Sequence, residues 1–184
     1  MRSYTRSVIR TERSFDYRRA RAADAAAVTA LLRGIYDEER YFVGDGPAPE
    51  RSLAVRIDTD APEGSLYLVA TEADKVVGWL ELHRPSPSRL AHVAVLTLAV
   101  APPARRNGIA RGLLRRSYLW CESVGVCKIS LNVRAGNGGA IALYLSEGFE
   151  QEGRERRHVR TSGPNGAGAE YEDNLVMAKL LNER

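Results

Sequence analysis

The sequence predicts an α/β fold in which a mixed, mostly antiparallel sheet contains a central parallel pair of strands and is flanked by helices. A strand, a helix and a second strand follow one another between residues 92 and 133. Such crossover units are normally right-handed and place their two strands in parallel. Apolar strands joined by Glu72-Ala73-Asp74 form a hairpin before this unit, and two more strands follow it. Hairpin strands are antiparallel, which gives the sheet its mixed character.

The N-terminal half supplies two helices and the hairpin. We expect residues 1–16 to form a polar arm and residues 17–184 to form a single domain with no internal repeat. A Gly- and Pro-rich stretch separates the helices. The predicted elements are a helix capped by Asp24 and running through Ile35, a second helix over 50–57, and strands over 65–71 and 75–83.

The C-terminal half supplies the crossover unit and the remaining strands. Pro102 and Pro103 end the first of these strands, because proline cannot donate to a sheet ladder. The predicted elements are a strand over 92–100, a helix over 106–123, a strand over 128–133, a helix over 137–147, and strands over 149–160 and 171–181.

The composition is that of an ordinary globular protein, because 44% of its 184 residues are hydrophobic and 27% are charged. No apolar run approaches the roughly 20 residues that span a bilayer, so we expect a cytoplasmic protein without a membrane partner. The three scattered histidines give no metal-ligand spacing, so no metal site is expected. Cys121 and Cys127 are expected to be reduced and mostly buried.

The net charge of +4 comes from arginines crowded into residues 2–21 and 154–160. Such clusters suit a polyanion, either nucleic acid or the phosphates of a cofactor. No aromatic–basic RNA motif accompanies the first cluster, so a solvated surface is the better interpretation and a nucleic-acid partner is not expected.

A basic turn containing Gly108 follows the strand 92–100 and opens the next helix. A helix N-terminus presents free backbone N–H groups and a partial positive charge, so it binds anions. Gly108 lets the backbone approach a phosphate closely, and the small side chain of Ala110 leaves room in the next turn. The turn also contributes three cations, Arg105, Arg106 and Arg111. By itself the turn is equally consistent with an ordinary strand-to-helix connection carrying solvated arginines.

A second motif lies in the short helix after the next strand. Asn137 is a natural N-cap, and Gly148 is a natural stop. Ala140 and Tyr144 are four residues apart, so they share one helical face, and the small residue leaves room beside the tyrosine. A single helical tyrosine is usually a packing residue, and the first motif is what suggests another role for this one.

The segments TLAVAPPARRNGIARGLL and KISLNVRAGNGGAIALYLSEGF resemble the two signature blocks of the GNAT acetyltransferase superfamily. The first is similar to the family's Arg/Gln-x-x-Gly-x-Gly/Ala loop at Arg105, Gly108 and Ala110. The second is similar to its Asn…Ala…Tyr…Gly-Phe block, ending at Gly148-Phe149. The resemblance is close over residues 92–149 and looser over 17–181.

The resemblance implies acetyl-CoA as the cofactor, with its pantetheine arm paired to a strand and its pyrophosphate on the loop. It implies that Tyr144 protonates the departing thiolate. GNAT proteins are often dimers, so a homodimer is also expected. The cofactor-binding residues that it implies are Leu98, Ala99, Val100, Arg105, Arg106, Asn107, Gly108, Ile109, Ala110, Arg111, Asn137, Ala140 and Tyr144.

The catalytic base is left open. Some family members carry a glutamate five residues before the Ala-Val pair of this strand, and here that position is Ala94. Glu81 on the neighbouring strand and His92 on the same strand are the alternative catalytic residues, each able to accept the ammonium proton directly or through water. Direct attack needs no enzyme nucleophile, which agrees with the lack of a Ser-His-Asp or Cys-His pattern.

The acceptor is expected between the first helices, the loop after them and the C-terminal strands. The expected substrate-binding residues are Tyr36, Glu39, Tyr41 and Glu81. The C-terminal segment resembles that of GNAT enzymes acting on small amines, including amino acids and their analogues, so transfer of acetyl to such an amine is the first interpretation. The alternatives are a protein lysine or N-terminal acetyltransferase of the ribosomal-protein type, and a non-catalytic module that binds acyl-CoA or nucleic acid.

Overall fold

A computed structural model describes residues 13–60, 64–85, 88–162 and 169–181. These residues form strands β1 to β7 and helices α1 to α4, with short 3₁₀ turns between some of them. In chain order the elements are β1 (Asp16–Arg19), α1 (Ala25–Tyr36), α2 (Glu50–Asp60), β2 (Ser65–Glu72), β3 (Lys75–His83), β4 (Val93–Val100), α3 (Ile109–Ser123), β5 (Lys128–Arg134), α4 (Gly138–Ser146), β6 (Glu150–Ser162) and β7 (Ala169–Leu180).

The strands make one sheet in the order β1-β2-β3-β4-β5-β7-β6. Strands β4 and β5 run in parallel, and every other neighbouring pair is antiparallel. The predicted fold class, with its central parallel pair, is therefore confirmed.

The parallel ladder between β4 and β5 is short. It joins Val93, Ala94 and Val95 to Lys128, Ile129 and Ser130, and no pairs follow, although both strands continue. β4 keeps its full pairing with β3 up to Val100. The sheet therefore opens into a gap between β4 and β5 at the C-terminal ends of both strands.

Each face of the sheet buries its own apolar cluster. Helices α3 and α4 cover one face, where Ala94 and Leu96 of β4 lie in the same cluster as Tyr144 of α4. Helices α1 and α2 cover the face that includes Trp79 and Ala99. Successive residues of a strand point to opposite faces, so β4 contributes alternately to the two clusters and the gap in the sheet opens onto both.

Gly78 of β3 allows α3 to lie close to the sheet. A Cβ at this position would be 2.8 Å from Ile109 Cγ2, 3.1 Å from Ala70 Cβ and 3.2 Å from Leu113 Cδ1. Both Ile109 and Leu113 are buried in the first turns of α3. Close approach at Gly78 therefore fixes the position of the helix N-terminus that follows β4.

Several details differ from the sequence predictions. Residues 16–19 form an edge strand that was not predicted, and it includes Asp16, the last residue of the predicted arm. Residues 1–12 of that arm lie outside the described residues. The side chain of Asp24 does not cap α1; it accepts from Arg21 N (2.7 Å) and pairs with Arg18. Helix α3 begins at Ile109 because residues 106–108 form the turn. Cys121 is buried as expected, but Cys127 is exposed because it precedes β5 at the sheet's end.

No helix among the described residues is long and apolar enough to span a membrane. In the same part of the chain, no group of three or more His, Cys, Asp or Glu residues is placed to hold a metal ion.

We predict that Gly78→Ala lowers the free energy of unfolding by about 1–3 kcal/mol, because the added methyl overpacks the contact between β3 and α3. Urea unfolding of the variant measures this loss. Gly139→Ala is the matched control, since a Cβ there would meet no atom within 4 Å and alanine is the better helix former. Equal stability of the Gly78 variant and wild type would contradict the packing role.

Candidate cofactor and acceptor site

Two residues at the end of β4 present backbone polar groups to the gap. Ala101 N donates to Val77 O of β3 at 2.9 Å, so the C=O of Val100, on the other side of that trans peptide, points away from β3. Backbone polar groups point to alternate sides along a strand, so the N–H and C=O of Leu98 also point away from β3 and into the gap. The N–H and C=O of Ala99 point towards β3. Of the three predicted strand residues, Leu98 and Val100 face the gap and Ala99 does not.

The turn between β4 and α3 exposes a run of backbone donors. Within the part of the chain that the structure describes, the N–H groups of residues 106–111 donate to no protein acceptor, and the first backbone bond of α3 joins Gly112 N to Gly108 O (2.9 Å). Arg106 and Gly108 have positive φ values of 65° and 77°. The turn is therefore an anion site built from backbone amides at a helix N-terminus.

Gly108 also leaves open space over the turn. No heavy atom lies within 4 Å of the position that a Cβ would take there. The side chain of Asn107 is exposed and folds back onto the turn, where it donates to Ala104 O and Arg105 O at 3.2 and 2.9 Å. A phosphate can therefore approach the backbone at Gly108 without meeting a side chain.

The three arginines of the turn have different partners. Arg105 pairs with Glu38 through both terminal nitrogens, and its Nε donates to Val100 O at 3.1 Å. Arg111 donates to Glu147 Oε1 (2.7 Å) and Ser146 Oγ (2.8 Å) at the end of α4. Arg106 is exposed and forms no ion pair with a described residue. Among these three cations, Arg106 is the one whose charge is available to a cofactor phosphate.

Helix α4 begins beside the end of β5 and brings Tyr144 into the cluster under α3. Asn137 caps it as predicted, because its side-chain oxygen accepts from Ala140 N at 3.2 Å. Ala140 packs partly buried against the same cluster. Tyr144 is 7% exposed, and the centroid of its ring lies 5.4 Å from that of Phe149. Burial raises the pKa of Tyr144 well above its ordinary value, so the phenol stays protonated at neutral pH.

A cleft of about 210 Å³ lies on the opposite face of the sheet, beneath α1 and α2. Its polar floor is formed by Glu81 and Thr97, which are register partners on β3 and β4. Tyr67 of β2 is the register partner of Glu81 on its other side and is buried. Arg56 of α2 pairs with the carboxylate of Glu81. The apolar walls are formed by Leu32, Tyr36, Phe42, Pro47, Leu53 and Trp79.

Of the predicted acceptor residues, Tyr36 and Glu81 line the cleft, whereas Glu39 and Tyr41 are not among its lining residues. Tyr36 packs on Phe42 with ring centroids 4.8 Å apart. The ring of Tyr41 lies under the guanidinium of Arg105, 4.9 Å from its carbon. Glu39 has an exposed side chain and a positive φ of 51°.

The structure does not bring His92 to this site. His92 precedes β4, and its carbonyl accepts from Cys127 N and Lys128 N at the closed end of the parallel pair. Eight residues of extended chain, roughly 25 Å, separate it from the open end at Val100. Ala94 is fully buried under α3, so a carboxylate at that position would lie in an apolar cluster.

Two site residues were missed from the sequence, Arg56 and Arg134. Arg56 faces the cleft from α2, a helix whose apolar periodicity is weak. Arg134 ends β5 with a buried guanidinium that donates to Glu172 Oε2 (2.7 Å) and to Glu39 O (2.6 Å). Both partners of Arg134 are distant in sequence, so no local pattern signals the contact.

The Acetyltransferase (GNAT) family model matches residues 30–149. The chain belongs to the GNAT acetyltransferase family. The predicted resemblance is thereby confirmed, and acetyl-CoA is the cofactor of this family.

Similar proteins of this family differ in acceptor. The chain is 33% identical over 126 residues to N-alpha-acetyltransferase RimI of Mycobacterium tuberculosis, covering 68% of this chain and 76% of that protein. It is 31% identical over 118 residues to L-amino acid N-acetyltransferase AaaT of Escherichia coli, covering 64% of this chain and 69% of that protein. It spans 33% of the length of a longer Mycobacterium leprae relative. The two named acetyltransferases leave the acceptor of this GNAT protein open.

The fold matches a solved GNAT structure closely. YncA, a putative acetyltransferase from Salmonella typhimurium with its cofactor acetyl-CoA, superposes with a TM-score of 0.82 at 20% identity, covering 92% of this chain and 95% of that one. The mixed sheet with its parallel pair is thus the fold of this GNAT neighbour.

We predict that Gly108→Ala weakens binding of CoA about tenfold, measured by calorimetry, because a methyl at the open face of the turn obstructs the phosphate. Gly125→Ala is the matched control: Gly125 also has a positive φ (73°) and no atom within 4 Å of a Cβ, but it lies at the far end of α3. Both variants should lose about 1 kcal/mol of stability from backbone strain. Similar CoA affinities in the two variants would rule out the turn as the phosphate site.

Proposed function

We propose that this GNAT protein transfers an acetyl group from acetyl-CoA to the primary amine of a small molecule, such as an amino acid or an amino-acid analogue, by direct attack in a ternary complex. The observation that carries the proposal is the position of the cleft. Thr97 lines it and belongs to the part of β4 that has separated from β5. An amine in the cleft is therefore adjacent to the gap that would hold the pantetheine arm.

The cofactor would be held mainly by backbone groups. The amides of residues 106–111 and the charge of Arg106 fit a pyrophosphate, and the gap-facing groups of Leu98 and Val100 fit the amides of pantetheine. Asn137 would contact the cofactor near the start of α4. Bound acetyl-CoA supplies an activated thioester, so the protein's own side chains have only to move protons and orient the amine.

Tyr144 and Glu81 would carry those protons. The Tyr144 phenol donates to the departing thiolate, since a tyrosine is protonated at neutral pH and can supply this proton. Glu81 takes the proton from the substrate ammonium, directly or through water, and Arg56 orients the carboxylate. These two groups belong to opposite faces of the sheet, so they can act on one substrate only through the gap.

The size of the cleft favours a small acceptor. A volume of about 210 Å³ lies below the roughly 300–1,000 Å³ of common ligand pockets, which suits an amino-acid-sized amine. The aromatic wall of Tyr36 and Phe42 suits an apolar substituent. The similarity to an L-amino acid N-acetyltransferase supports the same interpretation.

A protein N-terminus is the second candidate, because RimI is also similar to this chain. A thiol-release screen with acetyl-CoA across amino acids, polyamines, aminoglycosides and N-terminal peptides separates the two. Turnover with peptides alone would replace the small-amine proposal, and no turnover with any amine would favour a binding module. A cytoplasmic location and a homodimer also remain predictions, which fractionation and sedimentation would test.

We predict that Tyr144→Phe lowers kcat about 100-fold or more and changes the CoA dissociation constant less than threefold, since the hydroxyl would act only on the leaving thiolate. Single-turnover kinetics and calorimetry measure the two effects. Phe preserves the packing on Phe149, so the stability should stay close to that of wild type. Unchanged single-turnover rates would remove Tyr144 from the mechanism.

We predict that Glu81→Gln lowers kcat/KM for the amine about 100-fold near neutral pH and that part of this loss recovers at high pH. The recovery arises because the neutral fraction of the amine rises with pH and no longer depends on a base. Glu152→Gln, which removes an exposed carboxylate paired with Lys128, is the control. A pH-independent loss would show that Glu81 binds the amine without accepting its proton.

A further inference from the structure

The segment of residues 38–41, which follows α1, is tied to both strands that border the gap. On the β4 side, Arg105 pairs with Glu38 through both terminal nitrogens and stacks over the Tyr41 ring. On the β5 side, Arg134 donates to Glu39 O at 2.6 Å. One short segment therefore bridges the open end of the sheet by two arginine contacts.

Each arginine is also bonded to one of the strands that border the gap or to that strand's neighbour. Arg105 Nε donates to Val100 O, the gap-facing carbonyl at the end of β4. Arg134 is the last residue of β5, and its guanidinium is anchored by Glu172 of β7. A guanidinium has donors in a rigid planar fork, so each arginine can hold a strand and the segment at the same time.

The bridged segment leads directly into the acceptor cleft. Phe42 follows it and forms the cleft wall with Tyr36, while Gly44 packs against the Tyr36 ring. A shift of residues 38–41 would therefore move one wall of the cleft relative to β4. The side chains of Arg105 and Glu38 are 29% and 26% exposed, so the pair is partly shielded from solvent.

We propose that Arg105 and Arg134 form a two-point clasp on residues 38–41 that positions the acceptor cleft against the cofactor gap. Glu38 is the side chain that Arg105 binds in this clasp, whereas Arg134 binds a backbone carbonyl. These are positioning residues, since they act through the segment and not on the reacting atoms. The inference rests on the proposed function only in taking the gap as the CoA site and the cleft as the amine site. It also assigns the Arg105 side chain a role other than phosphate binding.

The clasp couples the gap to the cleft. A ligand that pairs with Leu98 and Val100 holds the end of β4, and Arg105 passes this restraint to Glu38. Local opening of residues 38–42 then becomes less frequent, which slows the exchange of their amide hydrogens. Without the Glu38 contact, the segment would open independently of the strand.

The test is amide hydrogen exchange of residues 38–42 with and without saturating CoA. We expect CoA to slow this exchange about tenfold in wild type and not in Glu38→Gln, because hydrogen bonds to charged groups of this kind change an equilibrium by about that factor. Asp37→Asn is the matched control: its carboxylate is one residue away and exposed, with no ion pair to a described residue. Arg105→Lys should behave like Glu38→Gln, since lysine keeps the charge but not the fork.

Two results would overturn the clasp: no CoA-dependent protection of residues 38–42 in wild type, or full protection retained in Glu38→Gln. Calorimetry of CoA binding to the same samples distinguishes failure of the clasp from failure of the proposed function. Absence of CoA binding to wild type would contradict the cofactor site itself. As a kinetic check, Glu38→Gln should raise the KM for the best amine of the screen about tenfold and change kcat less than threefold, whereas a purely structural role would lower stability and leave KM unchanged.

Discussion

The separation of β4 from β5 after three residue pairs is the constraint on which the rest of this site depends. A parallel pair that stayed together would satisfy the backbone groups of both strands and close the sheet. Because the strands part, Leu98 and Val100 keep polar groups directed into a gap, and the turn at Gly108 and the start of α4 lie beyond its open end. A ligand with amides and phosphates can satisfy these groups together.

The gap is also what the proposed mechanism requires for groups on two faces of the sheet to act on one substrate. Tyr144 lies in the cluster under α3 and α4, while Glu81 lies in the cleft under α1 and α2. A continuous sheet would keep them apart, since side chains on opposite faces are separated by the backbone layer. Only at the gap could the proposed proton donor from one face and the proposed proton acceptor from the other reach neighbouring atoms.

The number of arginines near the turn does not tell how much positive charge is free to bind a ligand, because most of these side chains are paired with carboxylates. In the turn, Arg105 and Arg111 are paired with Glu38 and Glu147, and Arg106 remains exposed. Arg134, which no motif marks, is buried and joins β5, β7 and the segment after α1. A buried guanidinium needs several hydrogen-bond acceptors around it. Arg134 obtains them because β5, β7 and the segment after α1 come together at its position.

The sequence by itself determined the order of the elements, the mixed sheet, the loop at Gly108 and the capped helix of Asn137 and Tyr144. These features depend on residues close together in the chain, whose spacing and turn chemistry are visible locally. The four-residue edge strand β1 escaped prediction because it is short and polar. Only the tertiary structure decided that the backbone N–H and C=O of Ala99 point towards β3 and that His92 lies at the closed end of the parallel pair. It also decided that Arg56, Arg105 and Arg134 contact partners 25 to 95 positions away in the sequence. Those outcomes depend on strand register and on contacts across the sheet, and no local pattern encodes either of them.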